Sequence, residues 1–232
     1  DWSSDVCSSD LRSTLTNIAA SLFAAQRPLM SLKCRLVTFA WWGGLVGIAF
    51  FGIYPTTNWL ASLQSKHYSL FVAGELSLPF IPEFIWIYFS MFVLFLLPPF
   101  LLNPEELKRL AKELILATVI AGLLFLALPA RLGFPRMLPE DEFYRSVFLG
   151  IFTLDQPFNL VPSLHVVYTT AISLAVIPHT GTPIRLLLFF WMMLIASSTV
   201  LVHQHHLLDV ITGVLLAVLM HVLMGGRKWS RK

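Results

Sequence analysis

From Leu36 to Tyr54 the chain reads LVTFAWWGGLVGIAFFGIY, nineteen residues without a charge. A soluble domain does not carry such runs; they are the length and composition of a helix that crosses a bilayer. Five more stretches satisfy the same test: Phe84 to Leu102, one starting at Leu114, then roughly Phe158 to Ile177, Leu186 to Val202, and Leu207 to Met224. With 56% hydrophobic and 12% charged residues over 232 positions, there is room for one membrane domain and little else. The expected fold class is therefore all-α, a polytopic bundle of six transmembrane helices over residues 36–224.

Residues 1–11, DWSSDVCSSDL, do not fit that pattern and read as an assembly artefact, one frame of a sequencing adapter. Without Asp1, Asp5 and Asp10, 16 basic residues face 10 acidic ones, a formal +6. Cys7 goes with them, leaving Cys34 and no intrachain disulfide. Residues 12–35 are expected to be a cytoplasmic N-terminal segment and residues 225–232, basic with one tryptophan, a cytoplasmic tail suited to an anionic leaflet. With the N-terminus inside, twelve lysines and arginines fall on inner segments; only Lys66, Arg131, Arg136 and Arg145 fall outside. That bias predicts two cytoplasmic termini, as in a bacterial inner membrane. Between the second and third spans, NPEELKRLAKE predicts an amphipathic helix capped by Asn103 and running into the third span.

Against the apolar background two polar stretches stand out, both on the predicted outer side. In DQPFNLVPSLHVVYTT, Pro162 is placed to begin a helix whose free N–H groups, with the Ser163 hydroxyl, suit an anion, and His165 is within reach of it. In STVLVHQHHLLDV, Asp209 is the one formal charge between Arg185 and Arg227. Helical spacing makes His205 its neighbour, so the carboxylate would fix the imidazole tautomer and leave the other nitrogen as nucleophile, base or ligand. Ionisable groups at membrane depth are functional candidates by default. His203, His206, His221, His67 and His179 read as interfacial or hydrogen-bonded histidines, the run at 140–142 as a solvated loop, and Asp155 and Asn159 as loop braces.

Together the two stretches resemble the type 2 phosphatidic acid phosphatase superfamily. Its PSGH motif stands here as Pro162-Ser163-Leu164-His165; its SR, five residues, H, three residues, D motif stands as Ser198-Thr199, five residues, His205, three residues, Asp209. The resemblance implies a lipid phosphate phosphatase or phosphotransferase working through a phosphohistidine: His205 attacks phosphorus, Asp209 orients it, and His165 protonates the leaving alkoxide and then activates the acceptor. Ser163 and nearby amides would hold the phosphate oxygens. The implied scheme uses no metal and no cofactor; its partners are a lipid phosphate or diphosphate and membrane lipids, with no nucleic acid. The family's first motif, a lysine, six residues and then RP, is missing; LPARLGFPR stands in its place, with Arg131 the first candidate for a phosphate clamp and Arg136 the second. Thr199 in place of an arginine, and PSLH, look more like the inositol phosphorylceramide synthase branch, which transfers headgroups. Two other readings stay open: a metal site built from His203, His205, His206 and Asp209 in a membrane enzyme or transporter, and an inactive scaffold relative.

Overall fold

The computed structural model describes residues 31–225. The expected artefact at 1–11, most of the N-terminal segment and the basic tail from 226 lie outside the described residues. Six longer helices organise the chain: α1 (Leu32–Ser62), α2 (Pro104–Ala127), α3 (Glu142–Leu154), α4 (Leu164–Val176), α5 (Thr182–Leu201) and α6 (Leu207–Leu223). Among the described residues the fold is all-helical, and α1, α2 and α5 are long and apolar enough to cross a membrane.

Of the six expected spans, three are continuous helices long enough to cross and the others are shorter or broken apolar helices. The second apolar run, Phe84 to Leu102, is broken into Ile85–Phe89, Met91–Leu94 and Pro98–Leu101. Pro98 and Pro99 lack amide donors and disfavour a helical residue before them, so an apolar run here does not make a continuous helix. Ser90, at the first break, donates to Ile87 O and accepts the Trp191 indole N–H from α5, which ties the interrupted segment to the bundle. The fourth run begins its helix at Leu164, not at Phe158; the residues before it form an irregular approach to the N-cap Ser163. The acidic residues at 140–142 are also more than a loop. Asp141 caps α3 by accepting from the amides of Phe143 and Tyr144. The helix expected after Asn103 forms as read: Asn103 and Glu106 make a reciprocal capping box, and α2 runs unbroken from Pro104 into the third apolar run.

The core centres on α4, which is buried along almost its whole length and packs on α6, α2 and α5. α1 lies along α2. The Thr118 and Tyr168 hydroxyls, 2.6 Å apart, join α2 to α4, while Glu113 on α2 meets His221 of α6 at 3.2 Å and Arg109 at 3.5 Å. A histidine in the last span thus serves to pair a carboxylate that is 1% exposed. His179 does the same for Glu106 at 3.3 Å.

At the far end of that interface α6 approaches the start of α4 so closely that only glycine fits. A Cβ on Gly213 would stand 2.9 Å from the Ser163 carbonyl oxygen and 3.0 Å from Val166 Cβ. Gly213→Ala is expected to cost about 1–3 kcal/mol by forcing the helices apart, seen as a lower unfolding temperature in detergent. Gly43→Ala, whose Cβ meets nothing within 4 Å, should leave that temperature unchanged or slightly raised.

Candidate active site

The two polar stretches converge where α5 ends and α4 and α6 begin. α5 closes at Leu201 with Val202 as its C-cap, and His203 follows in the left-handed region at φ 54°. That position ends many helices; glycine is usual there, and a non-glycine residue is held only by its surroundings. Here the surroundings supply the hold. The Thr199 carbonyl accepts from the amides of both Gln204 and His205, so the turn folds back over the last turn of α5. Thr199 thereby acts through its backbone, while its hydroxyl donates to Ala196 O within its own helix.

His205 sits in this turn, before α6 begins, and not on the helix as its spacing from Asp209 suggests. The pair forms all the same. Asp209 is the third residue of α6 and reaches back across the N-terminus: Oδ2 accepts from His206 N at 2.8 Å and lies 3.1 Å from His205 Nδ1. One carboxylate oxygen caps the helix and orients the imidazole. With Nδ1 donating to Asp209, the lone pair of His205 falls on Nε2.

On the facing element Ser163 is the N-cap of α4; its Oγ accepts from Val166 N at 3.5 Å, and Pro162 lies just outside the helix instead of opening it. His165 follows on the first turn, its ring centroid 5.9 Å from that of His205. The two motifs are also joined directly, since Ser163 N donates to Asp209 O at 3.0 Å. The structure therefore brings together His165, His205, Asp209 and Ser163.

Arg131 is not among them. It is exposed, and its Nε donates to Ser69 at 2.8 Å. Arg136 lies closer. It donates to the carbonyls of Phe152 and Asp155, covers the Phe152 ring, and has a buried Nε without a hydrogen bond. Asp155 in turn accepts from Tyr54 Oη at 2.8 Å and Asn58 Nδ2 at 2.9 Å, bracing its loop on α1, and lies near enough to His205 to interact electrostatically with it. Burial pushes the Asp155 carboxyl above its usual range despite these partners. Asn159 braces the same face through Tyr54 O and Thr57.

Sequence reasoning missed Tyr88 and Glu75. Tyr88 Oη lies 3.3 Å from His165 Nδ1, with the rings 4.3 Å apart. It comes from the broken second span, and no spacing rule links it to His165. Glu75, in the connection after α1, is 5% exposed. Its Oε2 accepts from Leu207 N at 2.9 Å and meets His206 Nδ1 at 3.1 Å, while Oε1 accepts from Val72 N. On the other side of the His206 ring Gly133 N donates to Nε2 at 3.0 Å, which places the proton on Nδ1. Phe134 is stacked between His203 and His206, at 4.0 and 4.5 Å, and His203 Nε2 donates to Leu78 O. So these two histidines clamp the connections after α1 and after α2 onto the turn that carries His205. Among the described residues no three His, Cys, Asp or Glu side chains gather as a metal site.

Burial opposes the charge on Glu75, yet hydrogen bonds from Leu207, Val72 and His206 hold its carboxyl below the usual value. Burial also lowers His206, against the pull of Asp209 and Glu75. Both shifts have the same sign for stability. An unfolded chain binds protons that the folded one refuses, so stability is full above the unfolded values and falls with acid. The loss should begin below about pH 6.5 from His206 and gain a second component below about pH 4.3 from Glu75. Glu75→Gln turns an amide N–H₂ toward a backbone donor; it is expected to cost roughly 1–3 kcal/mol at neutral pH and to remove the second component, measured by unfolding in detergent across pH.

No curated protein and no solved structure shows significant similarity to the chain. One family model, that of the PAP2 superfamily, matches residues 66–223. Its members are generally phosphatases and act on phosphorylated substrates, often lipids. The match covers more than half of the sequence and takes in both converging motifs, from the connection that carries Glu75 to the end of α6: the chain belongs to the PAP2 superfamily.

Proposed function

We propose that the protein is a membrane-embedded lipid phosphate phosphatase or phosphotransferase that works through a phosphohistidine on His205. The observation that carries this reading is the pairing of two imidazoles, 5.9 Å apart by ring centroid, of which one is held by a buried carboxylate. His205 Nε2 attacks phosphorus and the bond to the leaving oxygen breaks; Asp209 holds Nδ1 and offsets the positive charge that develops on the ring. His165 gives a proton from Nε2 to the leaving alkoxide, then takes one from water or an alcohol that attacks the phosphohistidine. Tyr88 is the positioning residue for His165: its hydroxyl oxygen accepts from Nδ1–H in both halves of the cycle and keeps Nε2 as the working nitrogen.

The free amides at the start of α4 suit the phosphate oxygens, with Ser163 shaping that turn. Arg136 is the better-placed cation for them; Arg131 is a second candidate that would have to leave Ser69. The site end of the bundle faces outward in this reading, with both termini cytoplasmic and the lipid phosphate entering sideways from the outer leaflet. PSLH and Thr199 favour headgroup transfer to an alcohol over simple hydrolysis. Thr199 turns its hydroxyl into α5 and brings no charge to the phosphate.

The test offers purified protein a panel of lipid phosphates and diphosphates, with and without alcohol acceptors. His205→Ala and His165→Ala should each lose at least about 10²-fold in turnover. Tyr88→Phe should lower kcat roughly tenfold with KM nearly unchanged, and should alter the pH profile of kcat. Full activity of His205→Ala would end the proposal. Free phosphate as the main product would assign hydrolysis; a phosphoryl-linked product on the alcohol would assign transfer.

A further inference from the structure

At the end of the bundle away from the histidines lies an apolar cavity of about 340 Å³ between α1, the broken second span, α2 and α4. It is within the size range of ligand pockets. Phe39, Trp42, Val46, Phe95, Leu110 and Ile172 are among its walls. On α4 its walls are Tyr168, three residues beyond His165, and Ile172, seven residues and roughly 10 Å beyond it; neither His165 nor His205 lines the cavity, which is therefore separate from the phosphate site.

Two cations stand at its edge. Lys112 follows the lining residue Ala111 on α2, is exposed, and holds its ammonium 5.6 Å from the ring centroid of Trp42. Arg35 lies one turn before Phe39 on the same face of α1. It is 8% exposed and donates from Nη1 to Phe100 O, two residues beyond the lining Pro98, while its buried Nε makes no hydrogen bond. A greasy crevice with a buried, partly unsatisfied guanidinium and an ammonium at its rim matches one kind of ligand: an acyl chain that ends in an anionic headgroup.

We propose that this crevice binds an anionic phospholipid of the leaflet opposite the histidine site, with its phosphate between Arg35 and Lys112 and an acyl chain along Trp42 and Val46. The inference does not rest on the reading of the histidine site. A zwitterionic lipid of the same chains offers the same apolar contact but cancels its own phosphate charge, so charge complementarity sets the preference. Gly43, which also lines the cavity, leaves space that a larger side chain could fill, since a Cβ there meets nothing within 4 Å.

The test is native mass spectrometry of the delipidated full chain, titrated with phosphatidylglycerol or phosphatidylcholine of identical acyl chains. Wild-type protein is expected to bind phosphatidylglycerol at least about tenfold more tightly. Lys112→Gln, an exposed change that leaves the core intact, should weaken that binding about fivefold and spare phosphatidylcholine; Arg35→Gln should act in the same direction. Gly43→Trp should weaken both lipids by filling the crevice. His205→Ala, at the other end, should change neither. Equal affinity for the two lipids would show annular contact only and overturn the proposal, as would unchanged phosphatidylglycerol binding in Lys112→Gln together with Gly43→Trp. Loss of the preference in His205→Ala would place the bound lipid at the histidine site and equally refute it.

Discussion

One carboxylate oxygen holds the candidate site together. Asp209 Oδ2 caps the start of α6 through His206 N and lies against His205 Nδ1, and the same residue's carbonyl receives Ser163 N from the other motif. A carboxylate that is 1% exposed is costly to keep charged; here Oδ2 takes both hydrogen bonds while Oδ1 is buried without a partner, and the positive end of the helix helps to hold the charge. The helix cap and the orientation of the imidazole are therefore not separate features. The interaction that lets α6 begin where it does also fixes which nitrogen of His205 is free.

Around this point the structure spends its aromatic side chains on loops. Phe134 lies between His203 and His206, Phe71 stacks on the other face of His206, and Glu75 ties the same imidazole to the first turn of α6. Two connections distant in sequence thus close on one five-residue turn. The left-handed backbone at His203 is tolerated because its ring is fixed by Phe134 and Leu78 O. The histidines beside the motif thus hold the turn that carries His205 in place.

Much of this was legible in the sequence, and what escaped has a physical reason. The family motifs fix local spacing, so His165, His205, Asp209 and Ser163 could be named and are found together. The cap at Asn103 was legible for the same reason, since a capping box is local. Hydropathy reports burial in apolar surroundings, not helical continuity, so the run from Phe84 to Leu102 gave no sign of its breaks at Ser90 and before Pro98. Tyr88 and Glu75 reach the site from elements whose sequence separation from the histidines carries no periodic signal. Arg131 was favoured over Arg136 on position alone. Five residues apart, the two arginines take different partners: Arg136 binds the carbonyls of Phe152 and Asp155 while Arg131 stays with Ser69.

The lengths of the helices bear on where the chemistry can occur. α5, with 20 residues, spans about 30 Å, whereas α4 with 13 and α6 with 17 span roughly 20 and 25 Å. Neither of the shorter two matches the thickness of a hydrocarbon core unaided. Irregular backbone at membrane depth survives only where protein covers it or a polar cavity meets it. In this chain protein supplies the cover: the connections bearing Glu75, Gly133 and Phe134 bring hydrogen bonds and rings over the start of α6. Short helices and clamping loops are thus two sides of one arrangement. It sets two imidazoles and a carboxylate where α5 ends and the two shorter helices begin.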